Sequence, residues 1–282
     1  VVLGKTDDAG VRAFDRGDVA VELAQGTVPS DPKLDRSSDD LLSGAMAFDF
    51  SLQPGESRAV IVAAPLHGEL RALDSFVQGG DGQALAPADA FNQRLGEMRD
   101  YWTRQMSPVT FELPAREVSD TAKSQVAYIL INQDGIAIQP GSRNYKRSWM
   151  RDGSLTSAGL LRMGMFSTVK AYLDWYAARV QPDGWVPPIL NNDGTINEGF
   201  GWDNEYDSQG QFVFAIMEYY RFTKDREFLE KHFDAVHRAL KYLVALREKT
   251  LAPDYLANEP GRERFAGILP PSISHEGYSP AM

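Results

Sequence analysis

The chain has 282 residues, a formal net charge of −10 and 43% hydrophobic residues, which is an ordinary globular composition. This length allows two domains, or one large domain, with a sizeable core. Because an acidic chain repels phosphate backbones and anionic lipid, its charge argues against nucleic acid and membrane partners and leaves neutral sugars open.

Cysteine is absent, which excludes disulfides and thiolate metal sites and leaves the redox compartment open. A periplasmic or secreted location is slightly favoured over a cytoplasmic one. The chain begins at Val1 without a signal-peptide pattern and ends at Met282 in a loop-like stretch, as expected for a fragment of a longer protein. No apolar run approaches the length of about 20 residues that spans a bilayer.

The first part of the chain has the short alternating runs and turns of β structure. Strands are predicted over 19–23 and 45–50, and a turn over 53–56 leads into a predicted buried strand over 58–64. Two strands joined in this way fit an antiparallel hairpin at the edge of a sandwich. We therefore predict a β-sandwich over 1–82 that is truncated at its N-terminal end.

From residue 83 the hydrophobic spacing changes to that of helices. A linker segment over 83–117 contains one predicted helix. Further helices are predicted over 119–132, 153–163, 166–180, 206–223 and 226–247, the last as one bent helix or two short ones. Short connections alternate with long ones rich in Gly, Pro, Asn and Trp, which is typical of helical hairpins whose functional loops gather at one end.

The densest group of candidate site residues lies over 144–153. The ring of Trp149 suits the C–H face of a pyranose, and Arg151 and Asp152 supply a donor and an acceptor for neighbouring hydroxyls. A structural interpretation is also open, and the residue types alone favour it. In that interpretation Asp152 caps the helix that follows, Arg151 pairs with Asp152, and Trp149 belongs to the core.

A second group lies over 199–211, in a loop that leads into a predicted helix. Its side chains suit a clamp for sugar hydroxyls; the candidates are Trp202, Asn204, Glu205, Asp207 and Gln209, with Asp203 as a catalytic carboxylate. Alternatively, Asp203 or Asp207 caps the helix and the others face water. A calcium site made by the three carboxylates is a third hypothesis, but the spacing matches no established metal loop, so we expect no metal.

A third candidate is Glu276, which lies between His275 and Tyr278 in a predicted loop. A carboxyl group can act as a general acid when its surroundings raise its pKa. The structural alternative is an exposed loop residue. The sequence contains no dinucleotide, P-loop or zinc-protease motif, so no cofactor is expected.

Three stretches, 147–153, 184–188 and 206–211, resemble the six-hairpin glycosidases in their order and spacing, and most of all the glucoamylase and glucodextranase type. The resemblance implies a mainly α fold with an N-terminal β region, in which a β-sandwich is followed by part of an (α/α)6 toroid, its first half lying over 118–282. It also implies an inverting, exo-acting hydrolase of α-glucosides or related oligosaccharides.

In this resemblance Arg151 and Asp152 bind the terminal sugar in the deepest subsite, and Trp185 belongs to the sugar-binding residues. Glu276 occupies the loop that carries the acid in the family, although the usual Trp-Glu pair is absent. Asp203 is the second candidate for the acid, because 201–204 resembles the aspartate loop of trehalase-like enzymes.

The catalytic base is expected on a late helix of the toroid, beyond Met282, so the chain by itself is expected to be inactive or nearly so. The expected partner is an oligosaccharide or polysaccharide substrate, and the oligomeric state is left open. Two alternatives remain: a six-hairpin phosphorylase, and a non-catalytic carbohydrate-binding or scaffold protein. The main prediction is that Trp149, Arg151, Asp152 and the loop over 202–207 converge on one pocket.

Overall fold

The computed structural model describes residues 2–3, 6–14, 18–29, 41–64, 76–142, 145–197, 205–258 and 260–272. The chain divides into two compact units, Val1–Tyr101 and Trp102–Met282. The elements of the first unit are β1 (Val2–Leu3), β2 (Asp8–Ala13), α1 (Ala20–Ala24), β3 (Leu42–Ala47), β4 (Ile61–Val62) and α2 (Pro87–Gln105), whose last turn extends past the boundary.

The strands of the first unit form two antiparallel pairs, β1 with β4 and β2 with β3. The predicted hairpin is wrong. The turn over 53–56 does close, through a 2.9 Å hydrogen bond from the Glu56 N–H to the Gln53 carbonyl, but β3 pairs with β2 instead. The predicted buried strand over 58–64 is reduced to β4, in which Val62 is 63% exposed.

The predicted strand over 19–23 is the short helix α1. A five-residue apolar run fits either period, and here the Leu23 N–H donates to the Val19 carbonyl at 3.0 Å, as in a helix. In the described part of the first unit, the buried apolar side chains are Ala13, Val19, Pro29, Ala63 and Ala90. These small residues and the two strand pairs do not make two packed sheets, so the β-sandwich stays a prediction.

The second unit is mainly helical. In chain order its elements are α3 (Arg116–Asn132), β5 (Ser148–Trp149), α4 (Met150–Arg162), α5 (Phe166–Ala177), β6 (Ile189–Leu190), α6 (Asp207–Thr223), α7 (Arg226–Leu251), α8 (Pro253–Ala257) and a 3₁₀ turn (Arg262–Phe265). The region predicted as one bent or two short helices is the single helix α7. No helix in the described ranges combines the length and apolar character needed to cross a bilayer.

Two helices, α3 and α4, begin three residues earlier than predicted. Helix α3 starts at Arg116, so Ser119, where the helix was predicted to begin, lies inside it and donates to the Arg116 carbonyl. Helix α4 starts at Met150, three residues earlier than predicted, so Asp152 lies in its first turn and is not its N-cap. In both cases no side chain caps the helix.

Helices α4 to α7 form two helical hairpins that lie side by side. Helix α6 packs against α4, α5 and α7. The hydrogen bonds Ser154–Gln211 and Lys231–Asp174 each join positions 57 residues apart, the first between α4 and α6 and the second between α5 and α7. Within the first pair, the contacts Arg151–Asp207 and Ser154–Gln211 ascend along both helices, so α4 runs parallel to α6. Within the second pair, the contacts Lys170–Asp225 and Asp174–Lys231 do the same, so α5 runs parallel to α7. Consequently α4 and α6 begin at one end of the bundle, where α5 and α7 end.

Large apolar and aromatic side chains fill the space between these hairpins. Tyr172 and Tyr176 of α5, Phe212 of α6, Phe228 of α7 and Met150 at the start of α4 are all fully buried. This arrangement is consistent with part of a helical toroid, and the complete six-hairpin ring stays a prediction. Packing of this core fixes the relative positions of the helix ends. Candidate site residues such as Arg151 and Asp207 lie in the first turns of α4 and α6.

Candidate functional site

The start of α4 is fixed by a short pair of strands. Ser148 and Trp149 of β5 pair with Leu190 and Ile189 of β6, and the Met150 N–H donates to the Pro188 carbonyl at 2.9 Å. The buried Ser148 hydroxyl donates to the Ile138 carbonyl at 2.7 Å. Because the strand pair ends at the first turn of α4, it sets the direction in which Trp149 and Arg151 leave the backbone.

Arg151 is the centre of a charged cluster at this end of the bundle. Its Nη1 lies 2.7 Å from Oε2 of Glu205 and 2.9 Å from Oδ2 of Asp207. Its Nη2 is buried and has no hydrogen-bond partner among the described residues. The structural interpretation that paired Arg151 with Asp152 is therefore wrong, because the guanidinium reaches across to α6 and the residues before it.

The surroundings of this cluster keep the guanidinium charged. Burial by itself would lower the pKa of Arg151, but the hydrogen bonds to Asp207 and Glu205 outweigh it, so the pKa lies above its ordinary value. The two carboxylates differ in exposure, since the side chain of Glu205 is 7% exposed and that of Asp207 is 41% exposed. Glu205 forms the buried wall of the cluster and Asp207 its open side.

Trp149 lies beside this cluster in sequence and is partly exposed, not part of the core. The Arg147 guanidinium lies 5.0 Å from the centre of the Trp149 ring, and the Tyr145 ring lies 5.8 Å away at a tilt of 47°. One side of the indole is therefore already in contact with a cation. Asp152 is partly exposed in the first turn of α4.

Gln209, predicted to bind sugar, is fully buried. With its amide oriented to satisfy both groups, its nitrogen donates to the Tyr206 carbonyl at 2.7 Å and its oxygen accepts from the Val186 N–H at 3.1 Å. The neighbouring Ser208 hydroxyl donates to the Val186 carbonyl at 2.8 Å. In this geometry Gln209 attaches the loop before β6 to α6 and does not face the site.

A groove of about 520 Å³ opens next to Asp207. It runs one turn into the bundle from the charged cluster, and its lining is mostly apolar: Leu155, Tyr206, Asp207, Gly210, Gln211, Phe214, Leu243 and Leu269. On its polar side the Ser154 hydroxyl donates to Oε1 of Gln211 at 2.6 Å. Sequence reasoning missed Ser154 and Gln211, although they lie three and four residues after Arg151 and Asp207, on the same helix faces.

Trp185 does not line the groove beside Asp207 but lines a different pocket. That pocket, of about 480 Å³, is lined by Gln181, Pro182, Asp183, Trp185 and Tyr242. The remaining candidates, Glu276, Asp203, Trp202 and Asn204, lie outside the described residues. The structure thus brings Arg151, Glu205 and Asp207 together from two segments of the chain, whereas Trp185 lines a second pocket.

No protein-family model matches the chain, and no curated protein matches it significantly. Part of the chain is similar to solved glycosidases. A wild-type glycosidase is matched over 50% of this chain and 44% of its own length, at 22% identity and a TM-score of 0.42. Two point variants of a glycosidase are each matched over 48% of this chain and 43% of theirs, at 22% identity and a TM-score of 0.41. The chain spans less than half the length of these solved chains.

Proposed function

We propose that this chain is part of a glycoside hydrolase, inverting and exo-acting on α-glucosides or related oligosaccharides, with the terminal sugar bound at Arg151. One observation carries this proposal: Arg151 is held by Glu205 and Asp207 through Nη1 alone, while Nη2 is buried and unpartnered among the described residues. A buried N–H group without a partner is costly, and a ligand hydroxyl that accepts its hydrogen bond removes that cost.

The mixture of donors and acceptors in the cluster favours a sugar over other ligands. A sugar hydroxyl both donates and accepts, so it can accept from Nη2 of Arg151 while another hydroxyl donates to the open carboxylate of Asp207. Asp152 adds a second carboxylate on the first turn of α4. Trp149 adds an aromatic surface, of the kind that covers the C–H face of a pyranose.

The charge of the cluster favours a neutral ligand. One guanidinium and the carboxylates of Glu205 and Asp207 sum to a single negative charge, within a chain of net charge −10. Anionic ligands such as phosphate esters would meet this negative field at the mouth of the site. A neutral oligosaccharide binds without opposing charge.

For catalysis the proposal assigns the general acid to Glu276, with Asp203 as the second candidate, on the resemblance to six-hairpin glycosidases. Inversion also requires a base about 6.5–9.5 Å from the acid, which activates water on the opposite face of the sugar. The base is assigned to residues outside this chain.

Titration calorimetry with an α-linked gluco-oligosaccharide tests the binding site. Arg151→Lys retains the positive charge for Glu205 but removes the second terminal nitrogen, so we expect at least a tenfold loss of affinity, about 1.4 kcal/mol, with the fold retained. The matched control is Arg226→Lys, which changes an exposed arginine paired with Glu230 and leaves binding unchanged. Unchanged binding by folded Arg151→Lys would contradict the site.

Turnover assays on a longer protein that includes this chain test the reaction. A hydrolase releases free sugar without phosphate, whereas a phosphorylase requires phosphate. Glu276→Gln is expected to abolish turnover while binding persists, and Asp203→Asn is the matched test of the second candidate. Full turnover by both variants would contradict both candidates for the acid, and absence of turnover in the longer wild-type protein would favour the non-catalytic alternative.

A further inference from the structure

Helix α7 exposes a line of apolar side chains along most of its length. Phe233 is 61% exposed, Leu240 45%, Val244 53% and Leu251 47%. With His237, which is also exposed, the spacing along the helix is four, three, four and seven residues. This is the alternating a and d spacing of helices that pair along a seam. We call these five residues the α7 stripe.

The α7 stripe is distinct from the side of the helix that faces the core. At about 100° per residue, it lies roughly 140° around α7 from the buried residues Phe228, Ala239 and Leu246. The rings of Phe233 and His237 stack, with centres 6.2 Å apart and an angle of 22° between their planes. At about 1.5 Å per residue, the stripe is about 27 Å long. An exposed apolar surface of this extent is typical of an interaction site.

Four charged residues around the α7 stripe are ordered by sign along the helix. Asp234 and Lys241 lie seven residues apart, so both flank the stripe on the same side. Glu230 continues the a and d series toward the N-terminus, and Arg247 continues it toward the C-terminus. All four residues are exposed. The two carboxylates pair with arginines of the same helix, but such exposed pairs contribute little and leave the carboxylates open to a second cation.

A second copy of α7, packed antiparallel to the first, fits the apolar part of the stripe. In an antiparallel pair the a positions of one helix meet the d positions of the other. Phe233 then packs against Val244 of the second copy, and His237 packs against its Leu240. Because the arrangement is two-fold symmetric, each contact forms twice. These four layers fix the register of the two helices.

The same register brings opposite charges together. Asp234 then lies beside Lys241 of the second copy, because each flank of the helix meets the same flank of the other copy. At the end of the seam, Glu230 lies beside Arg247 of the second copy. Two-fold symmetry forms each ion pair twice. The charges of α7 are therefore complementary to themselves in the register that its apolar residues select.

Other occupants of the stripe match its charges less well. In a parallel pair, the flank with Asp234 and Lys241 would face the side of the second helix that carries Val236 and Leu243, so both charges would lack counterparts. Anionic lipid would meet the carboxylates of Asp234 and Glu230, in a chain of net charge −10. The antiparallel second copy is the occupant whose charges complement the stripe.

We infer that two copies of this chain form a dimer through the α7 stripe, with the two α7 helices antiparallel. Burial of the apolar layers drives the association, and the ion pairs Asp234–Lys241 and Glu230–Arg247 select the antiparallel register. The dimer depends on residues of α7 and not on what the Arg151 cluster binds. This inference and the proposed function can therefore fail separately.

Sedimentation equilibrium of the whole chain, over micromolar concentrations, tests the dimer. We expect a reversible dimer with twice the mass of the chain. Leu240→Glu places a charge in two layers of the seam and should weaken dimerisation at least about tenfold. The matched control is Tyr128→Glu, which changes an aromatic side chain of α3 that is 59% exposed and should leave dimerisation unchanged. Circular dichroism checks that both variants keep the helical fold.

Exchanging charges tests the register of the two helices. Asp234→Lys and Lys241→Asp each bring like charges together twice, so each should weaken dimerisation several-fold. The double variant re-forms both ion pairs with the signs reversed and should recover the wild-type dissociation constant. A further substitution acts in the other direction. In this register Glu248 meets Glu227 of the second copy, so Glu248→Lys should tighten the dimer.

Three results would overturn the inference. A wild-type chain that stays monomeric at these concentrations would leave the stripe to another segment of a longer protein. Wild-type dimerisation by folded Leu240→Glu would place the interface elsewhere. If the double charge variant dimerises no more tightly than the single variants, the helices do not pair in the antiparallel register.

Discussion

Nη1 of Arg151 and Oε2 of Glu205 lie 2.7 Å apart, although 54 residues separate them along the chain. The contact joins the first turn of α4 to the segment just before α6. Both side chains are largely shielded from water, at 18% and 7% exposure, so each charge depends on the other in place of solvent. This ion pair is therefore a structural tie between two helical hairpins and a wall of the proposed sugar site.

Replacing Glu205 should destabilise the protein more than replacing Asp207. Glu205→Gln removes one of the two carboxylates that pair with the buried guanidinium among the described residues, and we expect a loss of about 2–3 kcal/mol in the free energy of unfolding. Asp207→Asn changes an ion pair that is 41% exposed at the carboxylate, and we expect a loss of about 1 kcal/mol or less. Urea denaturation measures both. Equal losses would show that the burial of Glu205 does not govern the energy of the cluster.

Two glycines on α4 should respond to alanine in opposite directions. A Cβ on Gly153 would lie 1.9 Å from the hydroxyl of Tyr172, which is fully buried and 3.2 Å from the Ser148 hydroxyl. Gly153→Ala should therefore cost about 2–3 kcal/mol through overpacking. Gly159 has open space around it, so Gly159→Ala should stabilise the protein by about 0.5–1 kcal/mol. Thermal unfolding of the two variants measures both changes in stability. A stabilised Gly153→Ala would contradict the close packing of Gly153 against Tyr172.

The sequence predicted most of the helices but not the partners of Arg151. Hydrophobic spacing located α4 to α7 to within a few residues at most boundaries, because each has a long apolar face. The partner of Arg151 depends on how two hairpins pack against each other. No local sequence pattern shows which residues of the second hairpin come close to Arg151. The nearest candidate in sequence, Asp152, was the natural structural choice. Glu205 and Asp207 took its place because parallel packing of α4 and α6 brings their first turns together.

Helical geometry could have corrected one prediction in advance. Successive residues of an α-helix are about 100° apart, so Gln209 lies about 200° around α6 from Asp207. It therefore faces the core when Asp207 faces the site. Gln211 lies about 40° from Asp207, on the site face, and is in contact with Ser154. In the N-terminal region, periodicity could not correct the predictions in the same way. Strands of two to six residues are too short for their hydrophobic spacing to distinguish them from a short helix such as α1.

The contact between α5 and α7 should make stability depend on pH. Nε2 of the buried His232 lies 2.6 Å from Oδ1 of Asp174. Burial lowers the pKa of His232 below its ordinary value, in spite of this hydrogen bond and with Lys231 and Lys170 nearby. The native protein thus favours the neutral ring, whose Nε2–H donates to Asp174.

The sign of the pH effect follows from the unfolded state, in which histidine has a pKa near 6.5 and so binds a proton more readily. The free energy of unfolding should fall as the pH drops from 7 to 5. His232→Gln retains a donor for Asp174 and does not titrate, so the wild-type protein should lose stability relative to this variant over that range. For Asp174, burial alone would raise the pKa, but hydrogen bonds from Lys231 and His232 lower it. The stability that Asp174 contributes is therefore lost only at more acidic pH, below about 4.

If the wild-type protein instead gains stability relative to His232→Gln as the pH falls to 5, the attraction between the Asp174 charge and protonated His232 outweighs the burial of the ring.

The turn that carries Trp185 should tolerate no side chain at Gly184. Its φ of +96° is a left-handed conformation that costs about 1–3 kcal/mol for alanine, and a Cβ would in addition meet the Arg238 carbonyl oxygen at 2.1 Å. Gly261 has a similar φ of +85° with open space around it, so Gly261→Ala isolates the cost of the conformation alone. We expect Gly184→Ala to lose clearly more free energy of unfolding than Gly261→Ala in urea denaturation. Equal destabilisation by the two variants would show that the turn can shift away from α7 at no further cost.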